Sequence, residues 1–281
     1  MEKVQLFGMP AEKGRWLLIP LSITILLCLG TVYSWSIFRK PLEKLLNVGA
    51  TDSLLPFTVL LVVFAILMPI TGFYINRFDT RLITGVGGLI TALGYILSSL
   101  GGNIPTLTIT YGVIAGMGVG IAYGVPLAVV AKWFPDKKGL AVGATVIGFG
   151  LSPLITAPLA KFLIDRFGVQ QTFVILGIAF AAIITAISTV LTTPPPGWQP
   201  VGWNPPVVVQ GNSKTTNSGS ILQTSSFYGL WLCYTIGSFA GLAAIGISSP
   251  LAQEIIKLDA ATAANTVSLF AVFNGVGRLF F

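Results

Sequence analysis

Seven apolar runs of about twenty residues, at 16–38, 54–75, 82–100, 107–131, 140–162, 172–191 and 227–247, leave this chain one medium in which to fold. An eighth begins near residue 261 and is still running at Phe281. At ~1.5 Å per residue, each complete run covers the ~30 Å of hydrocarbon in a bilayer. Lipid offers the backbone no hydrogen-bond partners, so the runs are read as helices that satisfy their own amides. Connections as short as residues 101–105 keep consecutive helices in contact. Charged residues are only 9% of the chain, too few to cover a water-facing surface. The fold class is an all-α, multi-pass membrane protein.

The first run exceeds the length of a secretion signal and no small-residue cleavage site clearly follows it, so it is read as a retained helix. Cys28 and Cys233 both fall inside apolar runs, which leaves no disulfide framework or metal cluster. Histidine is absent. With no imidazole, no carboxylate pair in a run and no cysteine beside a base, the sequence argues against an enzyme and for no metal or cofactor. Nine Lys and Arg residues fall in the loops shared with the N-terminus, Arg15, Arg77, Arg81 and Lys132 among them, and six in the others, Arg39 among them. That asymmetry predicts a cytoplasmic N-terminus in the cell membrane, and it accounts for the net charge of +7 without a nucleic-acid partner.

Between the sixth and seventh runs lies "TTPPPGWQPVGWNPPVVVQGNSKTTNSGS", whose Pro, Gly, Ser, Thr and Asn content suits a mobile or extended linker. It divides the chain into a six-helix bundle at 1–191, a cytoplasmic linker at 192–226 and the first two helices of a second, incomplete bundle at 227–281. The chain reads as cut, not finished.

Three motifs carry more than hydrophobicity. "YGVIAGMGVGIAYGVP" spaces Gly112, Gly116, Gly120 and Gly124 by four, a glycine groove along one side of the fourth helix. Such a groove serves plain helix packing, or lets two helices rock past one another. In the fifth helix Gly139, Gly148, Ser152, Pro153 and Thr156 follow the pattern G-x8-G-x3-G-P-x2-G, with Ser and Thr in two glycine places. Pro153 removes a helix hydrogen bond, so a kink is expected there. Between the second and third helices, "GFYINRFDTR" resembles the loop signature G-x-x-x-D-R-x-G-R-R of the major facilitator superfamily. Gly72, Arg77 and Arg81 match it, while Asn76 replaces the acid and Asp79 the second glycine.

A narrower resemblance covers essentially the whole chain. "GVGIAYGVPLAVVAKWFPDKKGLAVG", "TVYSWSIFRKPL", "PPPGWQP" and the terminal "FNGVGRLFF" are similar to the oxalate:formate antiporter family within that superfamily. The resemblance implies twelve helices in two bundles, with a small carboxylate bound between them and an arginine of the eighth helix holding it. Arg278 occupies the matching place, with Asn274 in the same motif. An arginine deep in a helix costs roughly 2.5–3.5 kcal/mol on insertion scales and wants a partner, and none of the nine acids falls well inside a run. A planar guanidinium pairs bidentately with a carboxylate, though snorkelling to the headgroups remains open for Arg278.

Tyr33, Trp35 and Tyr123 match family aromatics that face the cavity, and hydroxyl or indole donors can bond a carboxylate oxygen. In the six N-terminal helices Lys132 and Lys161 sit only at ends, so the rest of the site there is expected to be neutral. Gly72, Arg77, Asp79, Arg81, the glycine groove, Gly148 and Pro153 are the candidates for conformational change. The reading is a monomeric transporter of a mono- or dicarboxylate such as oxalate, formate, lactate or pyruvate, working by anion exchange. A fragment without transport activity, or a membrane sensor or scaffold, are the alternatives.

Overall fold

The computed structural model describes residues 4–203 and 223–280, the side chains of 278–280 excepted. Every apolar run becomes helix, but not always within the expected limits. A hairpin of β1 (Gln5–Leu6) and β2 (Met9–Pro10) precedes the first helix. It folds back so closely that a Cβ on Gly14 would lie 2.5 Å from the Leu6 carbonyl. The first span then runs as α1 (Ala11–Leu29), a 3-10 turn at Gly30–Ser34 and α2 (Trp35–Leu46). It outruns the apolar stretch because "RKPLEKLL" buries Arg39 and Leu42 on one face while Glu43 pairs with Arg39 and Lys40. Arg39, expected in a loop, is therefore a buried helix residue, 3% exposed.

The next spans are α3 (Ala50–Tyr74) and α4 (Thr80–Ser98). They are followed by α5 (Ile104–Leu107), which passes through a π-helical stretch at Thr108–Ala115 into α6 (Gly116–Trp133). A 3-10 turn at Pro135–Lys137 leads to α7 (Lys138–Ser188). Two apolar runs merge in α7, and they are separated not by a loop but by an abrupt turn at Gly168, whose φ of 80° suits glycine. Dihedrals stay helical through Pro153, so the sharp break is at Gly168 instead. After the linker come α8 (Ser225–Glu254) and α9 (Ala260–Phe280). Asp259 caps α9: its carboxylate accepts from the Thr262 hydroxyl and from the backbone of Ala261 and Thr262, which holds its pKa below the usual carboxylate range. That cap is intact at neutral pH and is lost only in acid.

Among the described residues, six helical stretches are long and apolar enough to cross a membrane, the one at Pro135–Ser188 being broken at Gly168. α9 is not among them, because its sequence spends positions on Thr262, Asn265, Thr266, Ser268 and Asn274. Part of that polarity turns inward. Ser268 is buried and its hydroxyl reaches the Pro153 carbonyl of α7 at 3.3 Å.

Close backbone approach holds the helices together, as expected where lipid supplies little hydrophobic drive. The glycine groove is real for three members. Added Cβ atoms on Gly112, Gly116 and Gly120 would come within 2.8–3.0 Å of α3, whereas Gly124 faces open space. The tightest helix–helix contact on α6 is made off the groove by Gly118, packed on Thr91 and Gly87 of α4. Gly148 of α7 and Gly30 of the 3-10 turn make the matching contact between the first and fifth spans, each 2.6 Å from a facing carbonyl were a Cβ present.

One end of the bundle is closed by a clamp that sequence did not foresee. Arg15 of α1 is buried, donates two hydrogen bonds to Asp136 at 2.5 and 2.9 Å and a third to the Trp133 carbonyl, and stacks over Phe134. The Trp133 indole donates to the Thr192 carbonyl at 2.6 Å and packs against Trp198 at 4.8 Å. The opening segment of the linker, expected to be mobile or extended, is thus seated on the bundle through Thr192 and Trp198. Arg15→Gln keeps one donor but strands Asp136. It is expected to cost about 1–2 kcal/mol, read as a lower melting midpoint in detergent, with partial recovery in Arg15→Lys.

Candidate functional site

The 3-10 turn at Gly30–Ser34 redirects the first span where α7 crosses it. Hydroxyls fasten that crossing. Ser34 and Thr156 share a 2.7 Å hydrogen bond, Ser152 donates to the Leu27 carbonyl at 2.6 Å, and Ser152 lies 3.3 Å from Thr156. The two residues that replace glycine in the helix-five pattern therefore act as clasps to the first span. The tightened turn presents Tyr33 edge-on to Phe149, with centroids 4.9 Å apart.

Tyr33 and Asn274 meet at a cavity between the first six spans and the last two helices. Pro153 of α7, Ile245 and Ser248 of α8, and Val267, Phe270 and Ala271 of α9 complete a mostly apolar wall in which Ser248 adds a hydroxyl. About 10 Å³ is free inside, the room of a single water, so the cavity is constricted here. No charged side chain lines it among the described residues. The Arg278 side chain lies outside the described residues, although its backbone continues α9 one turn past Asn274.

The other candidates fall in different places. Tyr123 is half-buried and packs on Phe149 at 4.9 Å and Phe64 at 5.2 Å, so Phe149 bridges it to Tyr33. Trp35 is not at the cavity: it is fully buried, stacks 4.3 Å from Tyr111, and its indole donates to the Ser53 carbonyl at 3.0 Å. Expected to face the cavity, it stands two residues past Tyr33, just after the 3-10 turn, and packs with Phe38 and Phe173. Gly148 and Pro153 stand at the α1–α7–α9 junction. Gly72 faces open space, Arg77 lies over the Tyr74 ring, Asp79 caps α4 by accepting from Arg81, and Arg81 is exposed. The glycine groove meets α3, away from α8 and α9.

Sequence reasoning missed the residues that tie α2 to α8 and to the start of α3. Arg39 donates to Ser53, to the Ala50 carbonyl at 2.7 Å and, across to α8, to the Gly246 carbonyl at 3.2 Å. Lys40 pairs with Glu254 of α8, and the Ser36 and Ser248 hydroxyls lie 3.3 Å apart. The signal was available: Arg39 and Glu43 are four apart beside Leu42, the spacing of one helix face.

A family model described as the Major Facilitator Superfamily matches residues 18–281. The chain is 32% identical over 269 residues to the "Oxalate:formate antiporter" of Oxalobacter formigenes, covering 95% of this chain and 62% of that protein. Over 109 residues, 39% of this chain and 21% of the other, it is 34% identical to "Monocarboxylate transporter 14" of Mus musculus. Among solved structures it is similar to a bacterial homologue of the human lysosomal transporter Spinster, at a TM-score of 0.71 and 14% identity over 92% of this chain and 60% of that one. The chain thus spans under two thirds of the length of the first of these relatives and of that structure.

Proposed function

This chain belongs to the major facilitator superfamily, and on that premise we propose that it carries a small organic anion, a mono- or dicarboxylate, across the cell membrane by alternating access. The observation that carries the reading is the constricted cavity between the two helix groups, where Tyr33 from a broken first span faces Asn274 of α9. Arg278 follows Asn274 by four residues, the helical spacing that shares a face, and supplies the guanidinium for a carboxylate. Tyr33, Ser248 and Asn274 add neutral hydroxyl and amide groups around it. The printed names of two relatives, an oxalate:formate antiporter and a monocarboxylate transporter, support the same substrate class. Trp35 plays no direct part in this reading.

In this reading the end carrying Arg15, Arg77, Arg81 and Lys132 faces the cytoplasm, and the Arg39–Gly246 and Lys40–Glu254 contacts lie toward the outer side. Residues 1–191 form one rocking unit as a monomer, and α8 with α9 belong to the other. Exchange suits a cavity with no acid in its lining among the described residues. A second reading, a chain that binds the anion without carrying it, draws on the constriction of that cavity to about 10 Å³.

The test is counterflow in proteoliposomes loaded with unlabelled oxalate and presented with labelled formate. Accumulation that depends on internal anion supports exchange. Saturable binding without accumulation selects the second reading, and neither result removes the carboxylate proposal. Tyr33→Phe removes one hydroxyl at the cavity and keeps the packing on Phe149. It is expected to weaken apparent affinity about three- to tenfold at unchanged stability.

A further inference from the structure

We propose that the cavity at the α3–α4 turn is a binding site for a phosphate oxyanion, supplied by the headgroup of an anionic phospholipid. The cavity holds about 260 Å³, against about 10 Å³ at the site between the helix groups, and its lining is predominantly polar. Two cations reach it from separate helices, Arg81 from α4 and Lys132 from α6, and the hydroxyl-bearing Thr192 and Thr193 line it from the linker. Arg77, which follows Asn76 in sequence, lies over the Tyr74 ring and is not part of the lining.

The charge there is not balanced from within. Lys132 donates to the side-chain carbonyl of Asn76 at 2.8 Å, a neutral acceptor where the superfamily signature has an acid. Asp79 is the one carboxylate in the lining, and one of its oxygens is engaged by the backbone of Arg81 as the α4 cap. Neither Arg81 nor Lys132 forms an ion pair among the described residues. A cavity with two cations and one carboxylate in its lining fits an anion with several acceptor oxygens.

Position selects the source of that anion. Phe73 and Tyr74, 80% and 46% exposed, end α3, and Phe78, 61% exposed, lies on the following turn as part of the cavity wall. Exposed aromatic rings at the end of a spanning helix sit at the headgroup level of a bilayer. The cavity opens where phospholipid phosphates are found, whereas the site between the helix groups is separate and takes its substrate independently.

The experiment is native mass spectrometry of the 281-residue chain in detergent with dioctanoyl phosphatidylglycerol, dioctanoyl phosphatidylcholine or inorganic phosphate. One phosphatidylglycerol adduct is expected, retained about tenfold better than phosphatidylcholine. Asn76→Asp supplies the missing counter-charge and is expected to abolish that preference, and Lys132→Gln to reduce it about tenfold, both with unchanged melting. If Asn76→Asp does not fold, Lys132→Gln alone decides. Displacement of the lipid adduct by millimolar inorganic phosphate supports the oxyanion site and assigns it a soluble ligand. Equal retention of the two lipids, or full phosphatidylglycerol binding in the variants, overturns the proposal.

Discussion

Gly118→Ala is expected to cost about 3 kcal/mol or more, seen as a large drop in melting midpoint and as aggregation during purification. The reason is local. The new methyl would coincide with the backbone nitrogen and hydroxyl of Thr91 and stand 2.5 Å from the Gly87 carbonyl. Those atoms belong to the body of α4, which cannot retreat without leaving α7, because Gly88 is packed just as tightly on Ile184. Over-packing a helix contact usually costs about 1–3 kcal/mol, and the upper end applies where the neighbour is backbone. Gly124→Ala on the same helix is the internal control. Nothing lies within 4 Å of its added Cβ, and alanine gains up to about 1 kcal/mol of helix propensity over glycine. Equal destabilisation of the two variants would mean that the α4–α6 contact is not as tight as described.

That pair of glycines shows what the sequence could and could not convey. A spacing of four marks a groove, and three of its members do meet α3. Periodicity cannot say which side of a helix is wetted by lipid and which touches a second neighbour, so Gly118 was invisible and Gly124 looked equivalent. The spans themselves were legible because their lengths are fixed by the bilayer. Their ends were not. Arg39 and Arg15 look like loop charges until partners from distant segments, Gly246 and Asp136, turn them into buried helix residues. Hydropathy averages over a window and is blind to such pairs.

The candidate site was legible to a similar depth. Tyr33 and Asn274 lie 241 positions apart and converge on one cavity, which motif resemblance alone had put together. Trp35, two residues from Tyr33 and just past the 3-10 turn at Gly30–Ser34, packs in the aromatic core, a neighbourhood that motif spacing does not convey. Ser152 and Thr156 were noted only as departures from a glycine pattern. Their hydroxyls are clasps, and only the geometry of the crossing reveals the partner.

The central proposal is that Arg278, four residues beyond Asn274 on α9, holds a carboxylate, so its replacement carries the largest expected functional effect. Lysine at 278 keeps the positive charge and loses the planar pair of donors that match two carboxylate oxygens. A charge-assisted hydrogen bond contributes about 1.5–3 kcal/mol, which corresponds to roughly a ten- to hundredfold change in affinity. Arg278→Gln, which removes the charge as well, is expected to lose saturable binding. Neither variant touches the Gly118 contact, so melting should stay near that of the unaltered chain.

The most direct measurement is equilibrium binding of labelled oxalate and formate to the purified chain and to Arg278→Lys, side by side. Saturable binding that weakens at least about tenfold in the lysine variant at unchanged stability is the predicted result. Affinity indistinguishable between the two proteins, or no saturable binding by the unaltered chain, would contradict it.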